Sequence, residues 1–301
     1  MAHLRLRRGE RLERQGPRDL QLRRAVRVSG FPPFLLGTST KMYFTHERTL
    51  AWCRSVAEIA RRHPAVRSGT AGLFVVPGYL SVPAAVETLD GAAMVGAQDL
   101  ATEDFGPFTG EVSGAQLAEI GCTLVEVGHA ERRRLFGEDD AVVRAKAAAA
   151  LRNGLIPLVC IGEPERLEPR DAAAECIRQV DDALAAGASG PSGPVVVAYE
   201  PQWAIGAPEP ADPDYIRAVC RPLREHVRAL AGRESAAVIY GGSAGPGLLT
   251  RIADSVDGLF LGRFAHDPAA VEAVLDEVWA VAGVGVGGGV AGGVGAGGAD
   301  V

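Results

Sequence analysis

From Phe34 onward the chain repeats one unit eight times, a short apolar run followed by an amphipathic stretch of helical period. The apolar runs lie near 34–38, 71–76, 92–97, 122–127, 155–161, 194–199, 236–240 and 257–261. Helical patterns follow near 47–62, 80–89, 112–120, 138–152, 168–186, 212–231, 246–254 and 268–281. Strands that read as unbroken apolar runs are buried on both faces, as in parallel sheets covered by helices. Eight such units within about 250 residues are the pattern of a single closed (β/α)8 barrel. An open doubly wound sheet for dinucleotides would place G-x-G-x-x-G after its first strand, and none is there. Asp212-Pro213 and Asp267-Pro268 read as N-caps followed by proline in the first helical turn.

The barrel is expected to occupy residues 31–282. Residues 1–30 carry nine arginines against three acids and no aromatic side chain. Such a segment buries little and is expected to be a disordered, solvated extension; interspersed acids and the lack of stacking residues speak against a nucleic-acid arm. Residues 283–301 alternate Gly, Val and Ala as a low-complexity tail. No apolar run is long enough for a membrane span and no secretory block opens the chain, so a cytoplasmic protein is expected. The five cysteines are scattered in apolar contexts and read as reduced packing residues.

In a (β/α)8 barrel the reactive face is built where the strands end at their C-terminal edge. Val197-Ala198-Tyr199-Glu200-Pro201 halts an apolar strand at a carboxylate, either a general base or a strand-end acid paired with an arginine. The first strand ends Gly37-Thr38-Ser39-Thr40-Lys41, and the fourth ends Glu126-Val127-Gly128-His129. Lys41 and Lys146 are the two lysines among 31 basic residues, so a retained lysine points to a need for a compact ammonium. Lys146 sits in an Ala-rich helical run and reads as solvated; Lys41 ends a strand and reads as functional. Of six histidines, His129 alone terminates a strand. Strands seven and eight end Tyr240-Gly241-Gly242-Ser243 and Leu261-Gly262-Arg263, turns suited to bringing backbone N–H groups against a phosphate. No residues show metal-ligand spacing, so chemistry without a metal or cofactor on a small phosphorylated substrate is expected.

These blocks, together with Gly96-Ala97-Gln98, Phe108 to Ser113, Cys160 to Glu163, Ala198 to Gly206 and Asp257 to Gly262, resemble the triose-phosphate isomerase family over about residues 34–281. The resemblance implies a metal-free TIM-barrel isomerase. Glu200 would be the base, His129 a neutral electrophile, and Lys41 the cation that stabilises an enediolate. Gly206, Ser243 and Gly262 would contact phosphate, Glu131 would position Lys41, and Arg132 would be a supporting or interface residue. Residues 201–207 would form a lid, and the loop from Gln98 to Glu111 would reach a neighbouring subunit in a homodimer.

The departures concern the substrate. Ser39 stands where the family has Asn, Thr40 where it has Trp, and Arg263 where it has a second phosphate-binding Gly; the lid continues Ala207-Pro208-Glu209-Pro210. Ser39 and the Gly262-Arg263 pair are similar to the branch acting on tetrulose phosphates such as erythrulose 1-phosphate. Because the catalytic residues are common to both and Ser can still bond a substrate oxygen, triose phosphate is placed first and tetrulose phosphate second. A Schiff-base aldolase using Lys41 and a non-catalytic phosphate-binding barrel are the rival readings.

Overall fold

A computed structural model describes residues 30–185, 192–233 and 235–286, with side chains to residue 283. Eight parallel strands close into one barrel in chain order: β1 (Phe34–Ser39), β2 (Ala71–Val76), β3 (Met94–Ala97), β4 (Leu124–Val127), β5 (Ile156–Ile161), β6 (Val195–Tyr199), β7 (Ala236–Tyr240) and β8 (Gly258–Leu261). The ring shuts where Leu35 to Thr38 pair with Gly258 to Leu261.

Helices α1 (His46–Arg62), α2 (Pro64–Arg67), α3 (Val82–Leu89), α4 (Gly114–Glu119), α5 (Ala130–Phe136), α6 (Asp140–Arg152), α7 (Pro169–Leu184), α8 (Pro213–Ala229), α9 (Leu249–Ile252) and α10 (Pro268–Val286) fill the connections. Both Asp-Pro signals are N-caps: Asp212 accepts from the Asp214 N–H at 2.8 Å, and Asp267 from the Ala269 N–H at 3.0 Å. The helical pattern at 246–254 condenses to the single turn of α9, and α2 is an additional turn that His63 caps. Helix α10 continues past 282, the expected end of the barrel unit. The expectations for residues 1–29 and 287–301 lie outside the described residues.

The period-two alternation of each strand sorts its side chains between two apolar clusters. Leu35, Leu124, Leu158, Val196, Ala237 and Phe260 meet in the lumen, while Leu36, Val125, Val159, Val197, Val238 and Leu261 pack under the helices. Phe74 stacks on Phe260 at 5.6 Å and fills the space that Gly37 leaves; a Cβ at Gly37 would fall 1.9 Å from the ring. The lumen parity runs on toward the C-terminal edge. Leu35 leads to Ser39, Leu124 to Glu126, Leu158 to Cys160, Ala198 to Glu200 and Ile239 to Gly241. An apolar lumen is thereby capped by a polar layer.

Candidate active site

Glu200 stands at the end of β6, 6% exposed, and is not paired with an arginine. Its Oε2 lacks a hydrogen-bond partner and faces His129 Nε2 at 3.4 Å. The side chain lies against Gly241, where a Cβ would meet Oε1 at 2.5 Å and Cγ at 2.8 Å. That glycine is thus required by the carboxylate beside it as much as by any turn. Burial lifts the Glu200 pKa to about 8, helped by the neighbouring carboxyl of Glu126.

Glu126, one layer below in the lumen, is 4% exposed. It accepts from Ser39 Oγ at 3.3 Å and from Cys160 Sγ at 3.8 Å, and its Oε1 is 3.9 Å from His129 Nε2. Burial lifts its pKa to about 7, against the pull of Lys41 and the Ser39 hydrogen bond. The Glu126 charge raises the proton affinity of Glu200, and the Glu131 charge does the same to Glu126, as like charges do at close range. Glu126→Gln removes one charge, so Glu200 is expected to ionise at lower pH and the acidic limb of kcat/KM to move down. An unmoved limb in the pH profile would show that Glu126 does not act on the base.

His129 ends β4 and caps α5. Its Nδ1 accepts the Glu131 backbone N–H at 3.0 Å, so in the neutral ring the proton sits on Nε2, which faces Glu200. Burial, with Lys41 and Arg134 adding positive charge nearby, pulls its pKa down to about 4. The neutral imidazole is therefore a hydrogen-bond donor aimed at the space in front of Glu200.

Lys41 adopts a left-handed backbone (φ 44°), a conformation costing a non-glycine residue about 1 kcal/mol or more. Gln98 holds it there, its Nε2 donating to both Lys41 O and Val76 O at 3.0 Å. The Lys41 ammonium meets Glu131 Oε1 at 2.6 Å. Burial works against its charge, but the hydrogen bond and charge of Glu131, with Glu200 and Glu126 behind, hold its pKa above the ordinary lysine value.

Across the cavity lie Gly206, Ser243, Gly262 and Arg263. Ser243 is left-handed (φ 55°), and its hydroxyl is within 2.8 and 3.0 Å of the Ala204 and Ala207 carbonyls. Arg263 donates to the Gly206 carbonyl at 3.1 Å. The segment after Glu200 is thus tied to the ends of β7 and β8. Its base rests on the fully buried Glu163, which accepts from Trp203 Nε1 at 2.8 Å and from the hydroxyls of Tyr199 and Tyr215. At its far end the Ala211 N–H donates to the Tyr240 hydroxyl at 3.1 Å.

Ser39, Lys41, His129, Glu131, Glu200, Gly206, Ser243, Gly262 and Arg263 all line one cavity of about 850 Å³. A buried carboxylate, a neutral imidazole donor and an ammonium facing one cavity can move a proton between adjacent carbons of a substrate. The triosephosphate isomerase family profile matches residues 34–278. The chain belongs to the triosephosphate isomerase family. It is 51% identical over 246 residues to L-erythrulose-1-phosphate isomerase of Pectobacterium atrosepticum, covering 81% of this chain and 95% of the relative. Identity to the protein of that name from Rhizobium etli is 42% over 250 residues (80% and 90% covered). The triosephosphate isomerase of Mycobacterium avium is 38% identical over 244 residues (77% and 92%). The crystal structure of triosephosphate isomerase from Bartonella henselae superposes with a TM-score of 0.67 at 27% identity, over 82% of this chain and 99% of that one.

Two basic residues of this family member differ from the sequence reading or lie off the site. Lys146 is not solvated: it is buried and bonds Asp99 at 2.7 Å and Glu138 at 2.6 Å. Arg132 joins the same group, with Nε 2.8 Å from Asp99 and 2.5 Å from Glu138. It therefore faces away from the cavity and supports the loop beside it. Sequence reasoning passed over Glu126 and Gln98. Glu126 could have been found as an acid of lumen parity inside an otherwise apolar strand.

Proposed function

We propose that this member of the triosephosphate isomerase family isomerises a tetrulose phosphate, L-erythrulose 1-phosphate, ahead of a triose phosphate. What carries the reading is the 51% identical relative of that name, with a second at 42%, against 38% for the triosephosphate isomerase. This reverses the order expected from the sequence. Cavity volume does not choose between substrates that differ by one carbon, since about 850 Å³ holds either.

Erythrulose 1-phosphate carries its carbonyl on carbon 2 and a hydroxyl and one hydrogen on carbon 3. With phosphate held by Gly206, Ser243, Gly262 and Arg263, Glu200 takes the carbon 3 proton. The electron pair forms the carbon 2–carbon 3 double bond of an enediolate, and Lys41 balances the charge on oxygen. His129 Nε2–H donates to the oxygen on carbon 2, and the imidazole recovers a proton from the oxygen on carbon 3. Glu200 returns its proton to carbon 2. The carbonyl ends on carbon 3 with no atom gained or lost. A triose phosphate would follow the same steps and end as an aldehyde.

Lys41 is held as an ammonium by Glu131, which argues against a Schiff base, for which the amine must be neutral. We further place the enzyme in the cytoplasm as a homodimer. In support, no helix among the described residues is long and apolar enough to cross a membrane. Phe105 and Phe108, in the loop from Gln98 to Glu111, and Leu135 and Phe136 of α5 are large apolar side chains left exposed. The test is kcat/KM on erythrulose 1-phosphate and on glyceraldehyde 3-phosphate, measured side by side. A preference of about tenfold or more for the tetrulose is expected; a preference for the triose would restore the other order.

A further inference from the structure

The tetrulose differs from a triose substrate by one hydroxymethyl group on the reacting carbon farther from the phosphate. Strand order locates where that group must go. The candidate phosphate residues stand at the ends of β7 and β8, and in the closed ring β4 lies across the barrel from β8. A substrate anchored by its phosphate therefore points its other end toward β4. His129 and Glu126 are both carried there, Glu126 one layer deeper.

Ser39, 4% exposed, lines the cavity from the end of β1, the strand beside β8, and its hydroxyl reaches across the lumen to Glu126 of β4. The Ser39 hydroxyl donates its proton to Glu126 Oε2 at 3.3 Å, so its lone pairs remain for the cavity. An ionised carboxylate accepts only, and this fixes which way the serine proton points. The separation is long for an O–H···O bond. The wall is thus an acceptor, suited to the O–H of a hydroxymethyl group. A buried acid beside an apolar lumen is costly to retain, and neither proton transfer above passes through Glu126.

Resting on the tetrulose reading, we propose that Ser39 and Glu126 form the subsite for the terminal hydroxymethyl group. Ser39 accepts the substrate hydroxyl, and Glu126 is the positioning residue that turns Ser39 into an acceptor. The pair sets specificity, whereas the charge of Glu126 on the base Glu200 acts on both substrates alike.

The test compares kcat/KM on erythrulose 1-phosphate and glyceraldehyde 3-phosphate for the wild type, Ser39→Ala, Glu126→Leu, Glu126→Gln and the Ser39→Ala/Glu126→Leu double variant, at about pH 8.5, where Glu126 is ionised. Leu suits the apolar lumen and Gln keeps the shape, so one of the two reports if the other misfolds. Each single variant is expected to lower the tetrulose-to-triose ratio by about 10- to 100-fold, the range for a hydrogen bond tied to a charge. The double variant is expected to lose no more than Ser39→Ala alone, because the two act as one unit. The proposal is overturned if the Glu126 variants depress both substrates alike, or if the single losses multiply in the double variant. A wild type that prefers the triose overturns the tetrulose reading and this subsite with it. A wild type that prefers the tetrulose, with a ratio no variant moves, overturns the subsite alone.

Discussion

Glu200→Gln is expected to lower kcat by about 10³-fold or more, near the upper range for loss of a general base. The expectation follows from position and environment together. The carboxylate is buried, its Oε2 is unpaired, and it faces the donor nitrogen of His129 at 3.4 Å. A group without a hydrogen-bond partner in the folded protein is free to take a proton from carbon. Gln keeps the volume that Gly241 accommodates while removing basicity, so the fold should be unchanged. A phosphorylated analogue without a transferable proton should bind the variant within a few-fold of the wild type, as read by calorimetry. If the variant kept more than a tenth of its turnover, Glu200 would be a structural acid and the base would have to be sought elsewhere.

Lys41→Met is expected to lower kcat/KM by about 10²- to 10³-fold, the range for removing one preorganised group that meets charge developing on oxygen. Lys41→Arg should recover little of it. An ammonium at the tip of a chain held left-handed at φ 44° reaches Glu131 at 2.6 Å, and a planar five-donor fork does not occupy that point. This gives physical content to the composition, since only two of the 31 basic residues are lysine. Steady-state kinetics of the two variants check it. Substantial activity in Lys41→Arg would mean that any cation suffices.

The barrel was legible because its signal is periodic. Eight apolar runs separated by helical patterns leave little choice of topology, and the two Asp-Pro caps fall where expected. That Lys41, His129 and Glu200 meet at one cavity was legible because each stands just past the end of a strand, where a polar side chain has no packing reason to be. Lys146 was misread for the opposite reason. Alanines around it suggested an open helix face, while the acids that bury it, Asp99 and Glu138, lie in other segments of the chain. Gly241 looked like a phosphate turn, and its closeness to Glu200 exists only once β6 and β7 pair. Glu126 shows its lumen parity in the strand, but its approach to Ser39 of β1 and Cys160 of β5 exists only in the closed barrel. The order of substrates was legible only in part, since Ser39 and Gly262-Arg263 pointed to the tetrulose branch while the shared catalytic residues put the triose first. What weighs for the tetrulose is likeness to relatives, which a single sequence does not display.

The most direct measurement follows erythrulose 1-phosphate labelled with carbon-13 at carbon 2, incubated with the enzyme in D2O and observed by NMR. The labelled ketone signal is expected to decay into a secondary-alcohol signal, carrying deuterium to the extent that the Glu200 proton exchanges with solvent before its return, with a new ketone on carbon 3 and no aldehyde. Glu200→Gln should leave the label where it began. A label that stays in place with the wild type, in a preparation that converts glyceraldehyde 3-phosphate, would contradict the account.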